Sequence, residues 1–130
     1  MIDATTNSLV ATIPLDGGAG NTVYDPGSGR ILVAVHEKNE LVAIDPATAK
    51  IVGHYPVPGI ESPHGIALDV SARLAFVAGE ENNKLAVVDL TNMKVLGQIP
   101  SGKRSGRARV RYWTQTVVRL GGIRKRDRLS

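Results

Sequence analysis

The feature that most limits how this chain can fold is an internal repeat with an offset of 44 residues. Leu41–Val57 (LVAIDPATAKIVGHYPV) aligns with Leu85–Ser101 (LAVVDLTNMKVLGQIPS), and a shorter copy stands at Met1–Leu15. Between these copies lies a second shared unit, in which Val23–Glu40 matches Ala67–Lys84. A fixed period of this size is typical of folds in which one small structural unit is stacked on its neighbours.

Each period of the repeat predicts four short β-strands. In the clearest copy these strands are residues 65–70, 73–79, 84–90 and 94–100. They are rich in β-branched and aliphatic residues and are separated by clusters of Gly, Asn, Asp and Pro, which favour turns. The third strand is almost continuously apolar, as expected of a strand that neighbouring sheets cover on both faces.

An aspartate recurs at the start of the turns in this pattern. Asp25 and Asp69 are equivalent under the repeat, and so are Asp3, Asp45 and Asp89. An Asp at the first position of a turn can accept hydrogen bonds from backbone N–H groups two residues further on. The repeated aspartates therefore predict equivalent turns.

Four antiparallel strands in about 40–45 residues are typical of one blade of a β-propeller. The stretches PHGIALD (63–69) and RLAFVAGEENNKLAVVD (73–89), with the recurring V-x-x-x-I-P, resemble the YVTN/YncE-type β-propeller repeat proteins. FVAG and LVAV stand where that family has its Tyr-Val-Thr-Asn string. The resemblance implies a parent protein that closes a ring of about seven blades and that is often periplasmic or secreted.

The predicted fold class is all-β: a partial β-propeller of about two four-stranded antiparallel blades plus a partial blade. Residues 1–101 are assigned to a partial blade (1–15) and two blades (21–57 and 65–100). Two blades cannot close a ring, and repeat units need neighbours to complete their cores. We therefore expect possible partners to include further copies of the chain, associating through exposed blade faces.

The net charge of the chain changes from negative to positive at the point where the repeat stops. Residues 1–101 hold 6 Lys and Arg against 11 Asp and Glu, whereas residues 102–130 hold 10 Lys and Arg against Asp127 alone. The chain has no cysteine, which excludes disulfides and thiolate metal sites. The sequence predicts neither a signal peptide nor a membrane-spanning segment, because no apolar run has the length or flanks that these need.

Three hypotheses account for the basic tail at 102–130. It is a solvated, disordered segment, or a nucleic-acid-binding arm, or a product of a lost reading frame. The binding hypothesis rests on the ten basic residues and on aromatic rings that can stack on bases. Its site residues would be Arg107, Arg109, Arg111 and Trp113. Whatever its origin, such a tail would also bind polyanions weakly and without sequence preference.

The genetic code favours the lost reading frame. Read one base later, Trp-Thr at 113–114 can encode only Gly, and Gln-Thr at 115–116 only Arg or Lys. With permitted codons elsewhere, the stretch from Arg104 reads D-P-D-V-L-A-Y-D-T-G-H-R-R-L-Y-V, which parallels DPGSGRILV at 25–33. The repeat would then continue in the shifted frame, with the frame lost near Lys103.

The histidines are the candidate site residues of the repeat region. His36, His54 and His64 lack the spacing of metal ligands. His64 stands at the start of the innermost strand of its blade, and the resemblance places ligand binding at that end. It either caps a loop or contacts a ligand, whereas His36 and His54 are predicted to be surface residues. The acidic stretch 80–83 is predicted to be a solvated turn, because it lacks the ligand pattern of a calcium loop.

These observations favour a non-catalytic propeller fragment whose parent is a scaffold for a ligand or a partner protein. No catalytic residue, metal site or cofactor is predicted. One alternative is a propeller enzyme of the metal-dependent lactonase type, with His64 and channel-lining acids as ligands. The other is a nucleic-acid binder that acts through the basic tail.

Overall fold

The computed structural model of the protein describes residues 1–100, and all regular structure in that range is β-strand. The predictions made for the basic tail lie outside the described residues. Within residues 1–100 no helix is long and apolar enough to cross a membrane. The strands are β1 (Ile2–Asp3), β2 (Ser8–Leu9), β3 (Ala19–Asp25), β4 (Arg30–Val35), β5 (Glu40–Asp45), β6 (Lys50–Pro56), β7 (Pro63–Asp69), β8 (Leu74–Gly79), β9 (Lys84–Asp89) and β10 (Lys94–Pro100).

The strands form three antiparallel sheets. One sheet of four has the order β3-β4-β5-β6, another has the order β7-β8-β9-β10, and β1 pairs with β2 alone. Each four-stranded sheet is a simple meander, because every strand pairs with its sequence neighbour. This architecture confirms the predicted fold class: two propeller blades and a partial one. We call β3–β6 the first blade and β7–β10 the second blade.

The repeated aspartates close the hairpin turns as the sequence predicts. The carboxylates of Asp3, Asp25, Asp45 and Asp89 each accept a hydrogen bond from the backbone N–H two residues on, at 2.9–3.0 Å. In every one of these turns, and in that of Asp69, the fourth residue after the aspartate has a positive φ. These closing residues are Asn7, Gly29, Ala49, Arg73 and Met93.

One such closing residue gives a stability prediction. Ala49 has φ +56°, a left-handed conformation that costs a residue with a Cβ about 1–2 kcal/mol. We expect Ala49→Gly to be neutral or to raise the free energy of unfolding by up to about 1 kcal/mol, since glycine adopts this conformation freely. Ala47→Gly in the same turn is the matched control, because Ala47 lacks a positive φ. Urea unfolding should show Ala47→Gly to be the less stable variant, and the reverse order would contradict the prediction.

Side chains along the central strands of each blade point alternately to the two faces of the sheet, and this alternation determines which residues form the core. In β4, Leu32 and Ala34 face the second blade, whereas Val33 and Val35 belong to a cluster on the opposite face. In β8, Ala75 and Val77 face the first blade, and Phe76 lies on the far side. The two blades therefore pack face to face. We call the shared cluster the interblade core; its buried members are Leu32, Ala34, Leu41, Ala43, Val57, Ile60, Ile66, Ala75, Val77, Ala86, Val88 and Leu90.

Candidate functional site

The first strands of the two blades, β3 and β7, lie beside each other along one edge of the interblade core. Gly20 and His64, the second residues of β3 and β7, stand at one end of this edge and are equivalent under the 44-residue repeat. The two strands finish at the other end with the equivalent residues Asp25 and Asp69. We call these the histidine end and the aspartate end.

Two imidazoles from different blades meet at the histidine end. His36 Nε2 of the first blade lies 2.8 Å from His64 Nδ1 of the second, with the ring centroids 5.0 Å apart. One of these nitrogens donates the proton and the other accepts it, so the contact requires that at least one ring be neutral. Glu80 Oε1 lies 3.9 Å from the same His64 nitrogen. The His64 side chain is 31% exposed, so the pair is accessible from solvent.

Gly20 allows the two histidines to approach. A Cβ on Gly20 would lie 3.0 Å from His36 Nε2 and 2.9 Å from the His64 Cα. The second of these neighbours is backbone and cannot rotate away. A side chain here would therefore force the two inner strands apart, and the missing Cβ leaves room for His36 to reach across β3 to His64.

A polar cleft of about 480 Å³ opens beside this histidine pair. No Lys or Arg side chain of the described residues lines it. The pKa of Glu37 is lowered from its ordinary value, chiefly because its carboxylate accepts a hydrogen bond from the backbone N–H of Gly18. The cleft therefore presents negative charge at neutral pH. Its lining residues are His36, Glu37, Asn39, Glu61, Ser62 and Glu81.

Two asparagines fix the connection between the blades, which forms one wall of the cleft. Asn39 of the first blade accepts a hydrogen bond from the backbone N–H of Ser62 at 3.0 Å. Asn82 of the second blade accepts one from Glu61 N–H at 3.2 Å and donates to Gly59 O at 2.7 Å. The cleft wall is therefore hydrogen-bonded to both blades.

The aspartate end carries an ion pair that joins the two blades. Asp25 is 1% exposed and accepts two hydrogen bonds from the Arg73 guanidinium, at 2.6 and 3.0 Å. It also accepts hydrogen bonds from Ser28 Oγ at 2.7 Å and Gly27 N at 3.0 Å. Bidentate Arg–carboxylate pairs are stronger and more directional than ordinary hydrogen bonds. We call this pair the Asp25–Arg73 clasp.

The clasp predicts a loss of stability in acid. Burial raises the pKa of Asp25, but the hydrogen bonds from Arg73, Ser28 and Gly27 and the charge of Arg73 outweigh it, so the net pKa is lowered. A carboxyl with a lowered native pKa stabilises the fold above its unfolded pKa of about 3.9, and that stabilisation is lost as the pH falls through the native pKa. We expect urea unfolding between pH 5 and pH 2 to show a smaller pH dependence for Asp25→Asn than for the unsubstituted chain. Equal slopes would contradict this.

The structure brings the predicted site residue His64 together with His36, which the sequence predicted to be an ordinary surface residue. His54 lies instead on β6, where its Nδ1 is 2.9 Å from Glu40 Oε1. Within residues 1–100 no three His, Asp or Glu side chains are grouped so that they could hold a metal ion. The alternative site residues Arg107, Arg109, Arg111 and Trp113 lie outside the described residues.

The histidine pair could have been predicted only from how one blade packs against the next. Under the repeat, His64 aligns with Gly20 and His36 aligns with Glu80, so the two histidines occupy different positions of their blades. Comparing copies at equal positions therefore does not pair them. They meet because β7 lies beside β3, and only a model of how one blade packs on the next predicts that contact.

Comparisons with known proteins support the fold alone. No protein-family model matches the chain, and no curated protein matches it. Among solved structures, the chain is similar to hydrazine synthase of Kuenenia stuttgartiensis (TM-score 0.70, 18% identity, 80% of this chain and 30% of that one). It is also similar to AztD of Citrobacter koseri (TM-score 0.65, 21% identity, 82% of this chain and 30% of that one).

A third similar structure is the periplasmic gluconolactonase PpgL of Pseudomonas aeruginosa (TM-score 0.51, 24% identity, 68% of this chain and 26% of that one). These neighbours are β-propeller proteins. The chain spans between about a quarter and a third of the length of each. The similarity shows that the two blades have the form of a segment of a propeller.

Proposed function

We propose that this chain is part of a non-catalytic β-propeller scaffold that binds a ligand or a partner at its histidine end. The observation that carries the proposal is the pair of partly exposed imidazoles, donated by two different blades, beside an open polar cleft. The propeller form of the two blades supports it as well, since propellers commonly carry their binding groups where several blades meet. The YVTN-type resemblance extends the proposal to a parent protein that is periplasmic or secreted.

The chemistry of the cleft favours a cationic ligand group. Glu37, Glu61 and Glu81 line it, and no Lys or Arg of the described residues does. The residues of the described repeat region also carry a net negative charge, which attracts cations over a distance. Asn39 and the histidine pair add neutral hydrogen-bonding groups that could orient such a ligand. An ammonium or guanidinium group is therefore the expected chemistry.

Titration of the full chain with 1,4-diaminobutane, followed by NMR, tests this assignment. We expect saturable chemical-shift changes at His36, Asn39 and Ser62, with a dissociation constant of about 1 mM or below, equivalent to about 4 kcal/mol. Glu61→Gln should weaken binding several-fold. Glu40→Gln is the matched control, because Glu40 pairs with His54 away from the cleft. Changes spread over all the acidic residues, or no saturation, would overturn the proposal.

We also propose that the chain is a truncated product whose reading frame was lost near Lys103. The support is the coincidence of three features: the end of the repeat, the reversal of charge, and the shifted codons at 113–116 that force Gly and a basic residue. A frame loss explains all three at once, whereas a tail selected for binding explains the charge alone.

A further inference from the structure

The two rings of the histidine pair are hydrogen-bonded to each other rather than to a carboxylate. His36 Nε2 and His64 Nδ1 lie 2.8 Å apart. The backbone around them is anchored as well, since the N–H of His36 donates to Gly18 O at 3.0 Å and the N–H of Glu80 donates to Ser62 O at 3.1 Å. The two rings therefore project from hydrogen-bonded segments of two different blades.

The hydrogen bond within this pair tolerates one positive charge but not two. A singly protonated pair keeps the bond, because a protonated ring can donate to a neutral one. When both rings are protonated, every ring nitrogen carries a hydrogen and none can accept. Two donors would then face each other across the 2.8 Å contact, so the rings must separate. Histidine is the residue whose charge ordinarily changes between about pH 5 and pH 8, so we expect mild acid to cause this separation.

Carboxylates face the pair from the segments packed around it. Glu37 directly follows His36, and its pKa is lowered chiefly by the hydrogen bond from Gly18 N–H and in smaller part by the charge of His36. Glu80 Oε1 lies 3.9 Å from His64 Nδ1. Two further carboxylates line the cleft together with His36. The full set at this end is Glu37, Glu61, Glu80 and Glu81.

The remaining surroundings of the pair bring no positive charge. The chain that leads into β3 contributes the small residues 17–20, which have no ionisable side chain. Lys38 lines a different depression, formed with the prolines of the connection between the blades. Among residues 1–100, the two imidazoles are therefore the groups that can bring positive charge to the cleft.

We propose that the His36–His64 pair is a pH switch on the cleft, which binds a cation while the pair is neutral and releases it when the pair is protonated. The inference rests on the proposed function, because it assigns regulation to the same cleft. His36 lines the cleft, so a charge on its ring repels a bound ammonium group. Separation of the rings also frees His36 from the second blade. Protons and the cation thus compete for the histidine end.

The affinity of the full chain for 1,4-diaminobutane at about pH 7.5 and about pH 5.5 tests the switch. Imidazoles ordinarily gain a proton near about pH 6.5, about two units above carboxyl groups, so this interval separates the two classes of group. We expect a dissociation constant at least about five-fold larger at the lower pH, as is usual for coupled sites.

Two variants show whether the histidine pair causes this pH dependence. The double variant His36→Gln/His64→Asn should lose it, because its amides can hydrogen-bond to each other and do not titrate. His54→Gln is the matched control and should keep it, since His54 pairs with Glu40 away from the cleft. The ratio of the two dissociation constants is compared, so a change in affinity at pH 7.5 alone does not affect the result. If circular dichroism shows the double variant to be unfolded, His64→Asn replaces it.

The ligand-free chain gives a second readout that does not depend on binding. Nuclear Overhauser effects between the rings of His36 and His64 should be present at pH 7.5 and lost at pH 5.5. Retention of these effects, equal dissociation constants at both pH values, or a double variant as pH-dependent as the unsubstituted chain would each overturn the switch and leave the proposed function standing. Absence of diaminobutane binding at either pH would overturn the proposed function and the switch with it.

Discussion

Arg73→Met should be the most damaging single substitution outside the apolar core, lowering the free energy of unfolding by about 3 kcal/mol. The methionine keeps most of the aliphatic bulk but removes both hydrogen bonds to Asp25, which is 1% exposed. A buried carboxylate that loses its partner retains its full cost of desolvation. For a domain of this size such a loss is a large part of the total stability. Urea unfolding monitored by circular dichroism measures it.

Arg30→Met provides the matched control. Arg30 Nη1 is 3.9 Å from Asp45 Oδ2, and the two side chains are 39% and 31% exposed. An exposed pair of this kind contributes about 0–1 kcal/mol, so the control should change stability little. Adding Asp25→Asn to Arg73→Met should recover part of the loss, because it removes the unpaired charge. Equal effects of Arg73→Met and Arg30→Met would contradict the importance assigned to the clasp.

Gly20→Ala should lower the free energy of unfolding by about 2 kcal/mol, the usual cost of forcing one methyl group into a packed site. The new Cβ would lie 2.9 Å from the His64 Cα and 3.0 Å from His64 O, so backbone must move. The same displacement should separate His36 from His64. We therefore expect the histidine ring signals in NMR spectra to change together with the stability.

Gly97→Ala is the control for this second prediction. A Cβ on Gly97 of β10 would meet no atom of residues 1–100 within 4 Å, and the residue has no positive φ. Alanine should be neutral there or stabilise by up to about 1 kcal/mol, because it restricts the unfolded chain. If Gly20→Ala were as harmless as Gly97→Ala, the close approach of the inner strands at the histidine end would be wrong.

The strands and turns of this protein could be predicted because their signals are local and occur twice. Each strand is a short aliphatic run, and each turn begins with an aspartate whose hydrogen bond reaches only two residues along the chain, as Asp45 and Asp89 show. The agreement of two copies at one offset removes most of the ambiguity of a single short apolar run. The fold class followed from that repetition.

The contacts between blades could not be predicted in the same way. Arg73 carried no signal as a binding residue, since it stands where the first blade has Gly29 and its partner Asp25 lies 48 residues earlier. His36 carried none either, because the atom it meets belongs to another blade. Both contacts depend on the side chains that one blade presents to the next. A repeat fixes the backbone of each blade, but the differences between copies decide which side chains meet.

The nucleotide sequence from codon 100 onward, read in all three frames, tests the central claim most directly. The claim is that these two blades are part of a longer propeller repeat interrupted near Lys103. We predict that the frame one base later stays open beyond codon 130, with Asp at codon 111, Gly at 113 and Arg or Lys at 115, followed by further blades. A neighbouring frame that closes early, or that continues without the repeat, would contradict the claim.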